Sequence, residues 1–311
     1  MTIDEKLAAI LATVQTDPGN RGLARDPHDN LFTACAGDFQ SACRSIAESP
    51  ASPIHIVTGF YIATGTPPTG ETDGPLGAVF LARGLCNGER CVSLAGESFC
   101  SNAIFAGVQE AGLDKYYNEI DRASRPGELD SVLVNAARLA NEEPPLFLAI
   151  ERVGPSRDGR MYSMRGRDIT DHMVACHEAF QKPAPPGGVT TIGIGDGGNE
   201  IGMGKIPHET IVKNIPNGDL IHCRVPTDHL IVAGVSNWGA YALAAGVYVL
   251  RGVTPPLDLF DPDREREILE VMVREGPLVD GVTGKQTATV DGLTWDEYVK
   301  PLIRIREIME S

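Results

Sequence analysis

The segment "TIGIGDGGNEIGMG", residues 191–204, combines six glycines with one Asp, one Asn and one Glu. Glycine is unfavourable inside a helix, and a segment this rich in glycine supplies too few side chains to build a core. The residues that lead into it, "GVTTIGIGDGG" (188–198), predict a strand that ends in a glycine turn. We expect the backbone to approach a bound group closely at the end of that strand.

Apolar runs on either side of this segment alternate in kind. Short, β-branched or otherwise apolar runs predict strands within 53–60, 90–96, 144–154, 188–198, 220–225 and the beginning of 228–250. Helical spacing of apolar residues predicts helices within 1–17, 74–85, 101–112, 128–141, 168–180, the rest of 228–250, 261–276 and 294–309. This alternation indicates an α/β fold in which helices cover both faces of a largely parallel sheet.

The domain organisation is interpreted as one domain, residues 1–311, because the chain has no repeat, low-complexity tract or long linker. "QKPAPPGG" (181–188) is the best candidate for an internal boundary. A stiff loop between a helix and a strand explains the same composition.

The charge excludes some classes of partner. The 27 Lys and Arg residues face 42 Asp and Glu residues, giving a net charge of −15. So acidic a surface repels nucleic acid and anionic lipid. No stretch approaches the roughly 20 apolar residues that span a bilayer. We therefore expect neither nucleic acid nor a membrane as a partner, and a local positive patch for any anionic substrate. The sequence leaves a homo-oligomer open.

The cysteines and the N-terminus indicate a compartment. None of the seven cysteines forms a CxxC pair or has zinc-finger spacing, so we interpret them as reduced thiols. "MTIDEKLAAILATVQTD" (1–17) carries acids early and interrupts its apolar run, as an amphipathic helix does and a signal peptide does not. The expected location is cytoplasmic.

Polar residues follow each predicted strand. The segments at these ends are "TGFYIATGTPPTGETDGP", "GESFCSN", "ERVGPSRDGRMYSMRGRD", "GIGDGGNEIGMG" and "AGVSNWGAYA". In open α/β sheets, functional groups gather at the carboxyl ends of the strands. One such end would mean little, but five together predict a cleft.

The glycine segment admits a dinucleotide interpretation. Gly193, Gly195 and Gly198 satisfy G-x-G-x-x-G after a predicted strand. The acidic partner expected about 20 residues later would be Asp219, but it precedes the predicted strand 220–225 and so lies at the wrong end. A nucleotide-dependent oxidoreductase therefore stands only as an alternative, and we expect no nucleotide cofactor.

We interpret the glycine segment as a site for a hard cation. The alternative is a flexible turn whose acidic side chains are solvated. Asp196, Asn199 and Glu200 offer the carboxylate and amide oxygens that Mg²⁺ or Mn²⁺ prefers. Glycines at Gly197 and Gly198 would let the backbone approach the bound species. We therefore expect these three oxygen-bearing side chains to serve a divalent cation or a proton.

Six motifs, in this order along the chain, resemble the D-glutamate cyclase family. They are "DPGNRG" (17–22), "VTGF" (57–60) with "ETDGPLGA" (71–78), "MRGRDIT" (164–170), "GIGDGGNEIGMGK" (193–205), "AGVSNWGAYALAA" (233–245) and "DGVTGKQTATVDGL" (280–293). The glycine–acid motif is the most specific, and the resemblance covers nearly the whole chain. Between "VTGF" and "ETDGPLGA" the segment "YIATGTPPTG" (61–70) departs from the family. The resemblance implies reversible dehydration of D-glutamate to 5-oxo-D-proline, a hydro-lyase reaction.

That reaction needs a base for the substrate ammonium and neutralisation of the carboxylate that is attacked. Asp196 is the first candidate for a general base or metal ligand, and Glu200 is the second. Glu151 directly follows an apolar strand, where a charged residue favours function. Asp73 opens the predicted helix 74–85, where capping is an equal alternative.

The substrate also needs a carboxylate anchor, most naturally arginine. The candidate substrate-binding residues are Arg21, Thr58, Gly59, Arg152, Arg165, Gly197, Gly198, Asn199, Ser236, Asn237 and Lys285. A surface ion pair is the alternative for each arginine, and N-capping is the alternative for Ser236 and Asn237. The non-enzyme alternative is a protein that binds an acidic metabolite without turning it over.

Overall fold

One sheet of five parallel strands organises the part of the chain that this computed structural model describes, residues 1–86, 92–113, 144–181 and 188–311. The strands are β1 (Ile54–Thr58), β2 (Tyr61–Ile62), β3 (Thr69–Gly70), β4 (Val92–Gly96), β5 (Leu146–Ile150), β6 (Thr190–Gly195) and β7 (His229–Val232). The sheet runs β4-β1-β5-β6-β7, and β2 and β3 form a separate antiparallel hairpin. The predicted α/β fold with a parallel sheet is confirmed.

Helices cover both faces of the sheet. They are α1 (Ile3–Val14), α2 (Leu31–Ala34), α3 (Asp38–Glu48), α4 (Pro75–Leu85), α5 (Ser98–Glu110), α6 (Glu178–Gln181), α7 (His208–Asn214), α8 (Gly218–Ile221), α9 (Ser236–Arg251), α10 (Pro262–Glu275), α11 (Trp295–Tyr298) and α12 (Lys300–Glu310). None of the helices in the described ranges is long and apolar enough to cross a membrane. The predicted helix at 128–141 lies outside those ranges.

Alternate strand residues enter two cores. In β5, Leu148 and Ile150 join the larger core, which α4 and α9 also build. Phe147 and Ala149 point to the opposite face and join the core that contains α7. Because both faces are buried, the strand reads as one continuous apolar run, as expected for a parallel sheet.

The order of the strands defines where a cleft opens. The chain proceeds from β1 to β4 on one side, and from β5 through β6 to β7 on the other. The switch in direction therefore falls between β1 and β5, and ligands of open α/β sheets bind beside the carboxyl ends of the strands at such a point.

Gly193, in the middle of β6, permits a close packing of backbone on backbone. A Cβ atom there would lie 2.6 Å from the carbonyl oxygen of Ile201 and 2.9 Å from the Cα of Gly202. The glycine segment thus folds back across its own strand, which an alanine at 193 would prevent. This return fixes the loop that carries Asp196.

The prediction of a helix at 168–180 is wrong. The structure has a 3₁₀ turn at Thr170–His172 and then irregular backbone up to α6. The N–H of Val174 donates to Glu97 Oε1 at 2.7 Å, and its carbonyl accepts from Arg152 at 2.5 Å. A buried ion pair therefore takes the backbone groups that a helix would have used.

The predicted strand at 220–225 is also wrong. Residues 218–221 form α8, and the segment after it is irregular. The N–H of Cys223 donates to the carbonyl of Gly198 at 3.1 Å, and the N–H of Arg224 donates to that of Pro155 at 2.8 Å. The segment supports two loops instead of joining the sheet.

Residues on either side of 181–188 contribute adjacent strands, β5 and β6, to one sheet. Residues 182–187 themselves lie outside the described ranges, and the single-domain assignment stays a prediction. The helix predicted at 294–309 is divided into α11 and α12, with Pro301 in the first turn of the second. Helix α3, with a clear apolar face, was not predicted.

Candidate active site

A cavity of about 330 Å³ opens at the carboxyl ends of β1, β5 and β6. This volume lies at the small end of the range for ligand sites. Its lining residues come from loops far apart in sequence: Gly19, Arg21, Phe60, Tyr61, Ile62, Ala63, Thr64, Glu71, Glu151, Ser163, Met164, Arg165, Arg167, Ile169, Asp196, Gly281, Val282 and Asp291. The strand switch and this cavity coincide, as the topology predicts.

Four carboxyl groups and one guanidinium line the inner part of the cavity. Arg21 Nη1 lies 3.0 Å from Asp196 Oδ2, and its Nη2 lies 2.8 Å from Asp291 Oδ2. Both contacts are ion pairs by distance, although neither oxygen accepts an aligned hydrogen bond. Glu71 and Glu151 are the other two acids. One arginine therefore stands among several buried carboxyl groups.

The loop "DPGNRG" holds Arg21 in place. Asp17 accepts hydrogen bonds from the backbone N–H groups of Arg21, Gly22 and Leu23 at 2.7–3.1 Å. The Arg21 guanidinium also donates to the carbonyl of Gly234 at 3.1 Å. The position of Arg21 is thus fixed by hydrogen bonds to its backbone and by contacts to both terminal nitrogens of its guanidinium.

Glu151 has an unusual backbone conformation. Its φ is +45°, in the left-handed region that non-glycine residues seldom adopt. Its carboxylate accepts a hydrogen bond of 2.5 Å from Ser236 Oγ at the start of α9. Asp291 is likewise left-handed, with φ +55°. Such conformations cost about 1–3 kcal/mol and concentrate at functional sites, so both acids are marked as site residues by backbone as well as by position.

Asp73 and Asn237 cap each other's helices. Asp73 accepts from the N–H groups of Ser236 at 2.9 Å and Asn237 at 2.8 Å, at the start of α9. Asn237 Oδ1 accepts from the N–H groups of Gly74 at 2.9 Å and Gly77 at 2.7 Å, at the start of α4. The exchange locks two helix starts together directly behind Glu151.

Glu200 and Asn199 shape the glycine loop. Glu200 accepts from the N–H of Asp196 at 3.0 Å and that of Gly198 at 2.7 Å. Asn199 donates to the carbonyl of Tyr162 at 2.7 Å, while its Oδ1 is buried without a partner among the described residues. Glu200 therefore holds the loop that presents Asp196, and neither side chain lines the cavity.

Burial favours the protonated forms of Asp196 and Glu151. Burial raises the pKa of Asp196 well above its ordinary value; Arg21 opposes the shift, and Glu151 adds to it. Burial also raises the pKa of Glu151 well above its ordinary value, with repulsion from Glu200 and Asp73. A carboxyl group with a raised pKa is a stronger base when ionised, and it keeps its proton to a higher pH than an ordinary carboxyl group does.

The same cause raises the pKa of Glu71 and of Asp73. Burial raises the pKa of Glu71 well above its ordinary value, and Asp291 and Asp73 add to the shift. Burial and Asp291 raise the pKa of Asp73 to about 7, against the N–H donors of Asn237 and Ser236. Repulsion from neighbouring carboxyl groups therefore adds to the effect of burial.

A triad of carboxylates could hold a divalent cation. One oxygen from each of Asp73, Glu151 and Asp196 lies within 4.8 Å of the others. Asp73 already accepts three N–H groups, but a carboxylate has about four lone-pair sites. The three donors are hard oxygens, so they fit Mg²⁺ or Mn²⁺. Geometry favours this triad over the predicted set of Asp196, Asn199 and Glu200.

The predicted anchors divide into two groups. Arg21 and Arg165 line the cavity, but Arg152 does not. Arg152 is fully buried and pairs with Glu97 at 2.5 Å, so its prediction as an anchor is corrected to a structural role. Its remaining donors go to Gly59 O at 3.2 Å and Cys176 Sγ at 3.2 Å.

Other predicted residues lie around the cavity rather than in its lining. Thr58 is buried, with a hydroxyl that has no partner among the described residues. Gly197 packs so closely that a Cβ would lie 2.6 Å from Met164 Sδ. Lys285 is exposed and outside the lining. Of the predicted catalytic residues, Asp196 and Glu151 therefore line the cavity directly, and Asp73 supports them from behind.

Sequence reasoning missed Glu71, Asp291 and Arg167. All three line the cavity. Glu71 belongs to "ETDGPLGA", and Asp291 belongs to "DGVTGKQTATVDGL", both of which carry the resemblance. Asp280 folds the second motif by accepting from the N–H groups of Val282, Thr283 and Gly292 at 2.8–3.0 Å. The sequence identified the two motifs, but it did not indicate that Glu71 and Asp291 were the residues of those motifs that line the cavity.

The glycine loop has no geometry for a pyrophosphate. The next helix in the chain, α7, begins only at His208, so no helix N-terminus directly follows Gly193, Gly195 and Gly198. Two N–H groups of the loop already donate to Glu200. The dinucleotide alternative therefore lacks the feature on which it depends.

Replacing Glu71 by glutamine is expected to stabilise the metal-free protein at alkaline pH. The Glu71 carboxyl makes no hydrogen bond with any described residue, and its pKa is raised in the folded state. The unfolded chain loses this proton near pH 4.3, so stability falls as pH rises from about 4 towards the folded pKa. Glutamine does not titrate, so this fall in stability at high pH is absent from the variant. We expect the melting temperature to rise by about 2 °C at pH 8 and to match the wild type near pH 4.5.

Differential scanning calorimetry in chelator-containing buffers measures both temperatures. A lower melting temperature for Glu71→Gln at both pH values would show that the carboxyl is stabilising and would contradict the assignment of Glu71 as an acid that keeps its proton in the folded state.

The chain is similar to known proteins along most of its length. A family model described as "D-glutamate cyclase-like, C-terminal" matches residues 10–306. The human protein "D-glutamate cyclase, mitochondrial" is 32% identical over 256 residues, which cover 80% of this chain and 40% of the human protein. The matched region is thus less than half of that relative.

Proposed function

Because this chain belongs to the D-glutamate cyclase-like family, we propose that it catalyses the reversible dehydration of D-glutamate to 5-oxo-D-proline. The observation that carries the proposal is the cavity in which Asp196, Glu151, Glu71 and Asp291 surround Arg21. Such a site can exchange protons with an amine and a carboxyl group and can hold charge of both signs.

The reaction forms one bond and breaks one. The α-nitrogen bonds to the γ-carbon, the bond from the γ-carbon to one γ-oxygen breaks, and two protons of the ammonium end on that oxygen as water, so no net proton is released. Ring closure within one molecule benefits strongly from orientation, since well-oriented intramolecular reactions reach effective molarities of about 10⁵–10⁸ M. The cavity therefore has to fold the substrate and move protons.

Asp196 is placed to take a proton from the substrate ammonium. Its carboxylate lines the cavity, and its raised pKa makes it a better base than an ordinary carboxylate. Arg21, 3.0 Å away, favours the ionised form of Asp196. Glu151, oriented by the 2.5 Å bond from Ser236, can return a proton to the departing oxygen.

A divalent cation is part of the proposal. Asp73, Glu151 and Asp196 would hold it through one oxygen each, which leaves the second oxygen of Asp196 and of Glu151 for proton transfer. When bound, the ion would neutralise charge on the γ-carboxylate and make it a better electrophile. Asp196 would then lie between two positive charges, the bound ion and the guanidinium of Arg21.

Chelation is expected to lower the turnover of D-glutamate at least about 10-fold, because one of the charges that polarise the γ-carboxylate is removed. Mn²⁺ or Mg²⁺ should restore it, and Ca²⁺ serves as a control for charge alone. Turnover that survives exhaustive dialysis against chelator, with no metal found by elemental analysis, would leave polarisation to arginine and protonated acids.

Proton NMR of the purified protein tests the proposed function. Incubation with D-glutamate should produce 5-oxo-D-proline, and incubation with 5-oxo-D-proline should produce D-glutamate. Line broadening of either compound without conversion would instead indicate a metabolite-binding protein. Nicotinamide-dependent absorbance changes would indicate the oxidoreductase alternative.

A further inference from the structure

Arg167 is a cavity-lining arginine without an acidic partner among the described residues. Other arginines of the same region are paired: Arg157 lies 3.7 Å from Asp219, and Arg160 pairs with Asp168. Arg165 also has no acidic partner among the described residues, but one of its terminal nitrogens donates to the carbonyl of Val282 at 3.4 Å. In a protein with a net charge of −15, an arginine left unpaired beside a cavity is available to an anion.

The turn that carries Arg167 has a defined conformation. Ser163 and Arg167 are joined by two hydrogen bonds, from the Ser163 N–H to Arg167 O at 2.9 Å and from the Arg167 N–H to Ser163 Oγ at 3.3 Å. Gly166, with φ +75°, completes the turn. The carbonyl of Met164 accepts from Asn217 at 3.2 Å. The backbone therefore presents Arg167 from a braced position.

Arg21 already faces two carboxylates of the protein itself. Its two terminal nitrogens lie 3.0 Å and 2.8 Å from Asp196 and Asp291, and it also donates to Gly234 O. Its positive charge is therefore already balanced by two acids of the protein. A substrate with two carboxylates consequently needs another cation for the one that does not react.

The shape of the product shows where that carboxylate lies. In the five-membered ring the α-carboxylate is the substituent outside the ring, while the nitrogen and the γ-carbon are ring atoms. An orientation in which the ring nitrogen and the γ-carbon face Asp196 and Glu151 leaves the open side of the cavity for the α-carboxylate. Arg167 is exposed and lines the cavity.

We propose that Arg167 binds the α-carboxylate of the substrate and sets the requirement for that group. The inference rests on the proposed function for the identity of the substrate, but its test is binding and does not depend on turnover. Guanidinium and carboxylate can form two parallel hydrogen bonds, which gives both affinity and orientation.

Isothermal titration with D-glutamate and with γ-aminobutyrate tests this assignment. The second compound keeps the amine and the γ-carboxylate but has no α-carboxylate. Wild-type protein and the variants Arg167→Gln and Arg157→Gln are compared; the latter is the control for the loss of one positive charge. We expect Arg167→Gln to weaken binding of D-glutamate about 10- to 100-fold, to leave γ-aminobutyrate unchanged, and so to remove the preference between them.

Each outcome has a separate meaning. Wild-type affinity for D-glutamate in Arg167→Gln, or an equal loss for both compounds, would overturn the role of Arg167 and leave the proposed function standing. An equal loss in Arg157→Gln would reduce the effect to net charge and also overturn it. Failure of the wild-type protein to bind D-glutamate would overturn the proposed function and, with it, this inference.

Discussion

Replacing Asp196 by asparagine is expected to lower kcat about 100-fold or more, the size of a typical loss in general acid–base catalysis. Asparagine has nearly the same shape, but it cannot take the proton of the substrate ammonium. It also removes a negative charge 3.0 Å from Arg21. The loop should keep its shape, because Glu200 accepts from the backbone N–H of residue 196 and not from the side chain.

Steady-state rates and circular dichroism of Asp196→Asn measure the two parts of this expectation. Asp171→Asn is the matched control, since Asp171 is exposed and lies outside the cavity. Near-wild-type turnover by a folded Asp196→Asn protein would remove Asp196 from the mechanism.

The second large effect is stereochemical: kcat/KM for D-glutamate should exceed that for L-glutamate by about 10³-fold. With both carboxylates held, the L-enantiomer places a hydrogen where the amine of the D-enantiomer would attack. Its ammonium then points away from the acids, and an unpaired buried donor costs about 1–3 kcal/mol. A nucleophile misplaced by roughly 1 Å costs about 10²-fold further. The direction of the preference comes from the family.

Side-by-side assays of the two enantiomers at equal concentrations decide the point. Comparable rates would show that the cavity does not hold three points of the substrate. A preference for L-glutamate would contradict the substrate proposed from the family.

The sheet was accessible to sequence reasoning because it is buried on both faces. Residues 146–150 of β5 are all apolar, and so the run has no competing pattern. The failures have a different origin. At 168–180 the helical spacing was real, but Arg152 and Glu97, which follow two other strands, take the backbone groups of Val174. A contact between distant segments leaves no local signal.

The site divides in the same way. Asp196 and Glu151 directly follow strands, and position alone identified them. Asp291 and Arg167 lie on irregular loops, where only the folded path of the chain shows which side chains reach the cavity. Arg152 does follow a strand, as predicted, but it was wrongly assigned as a substrate anchor. Its guanidinium pairs with Glu97, which follows β4, and the sequence gives no sign of that contact. The sequence left two roles open for Asp73, catalysis and helix capping. The structure shows that Asp73 caps the start of α9.

Oxygen exchange in ¹⁸O-labelled water tests the central claim, that this cavity dehydrates D-glutamate reversibly. Each ring opening adds one solvent oxygen to the γ-carboxylate, so D-glutamate incubated with wild-type protein should gain ¹⁸O in both γ-oxygens and none in the α-carboxylate. Mass spectrometry of the recovered amino acid locates the label. With Asp196→Asn the gain should be about 100-fold slower. D-Glutamate recovered without label from the wild-type protein, with Mn²⁺ or Mg²⁺ supplied, would contradict the account.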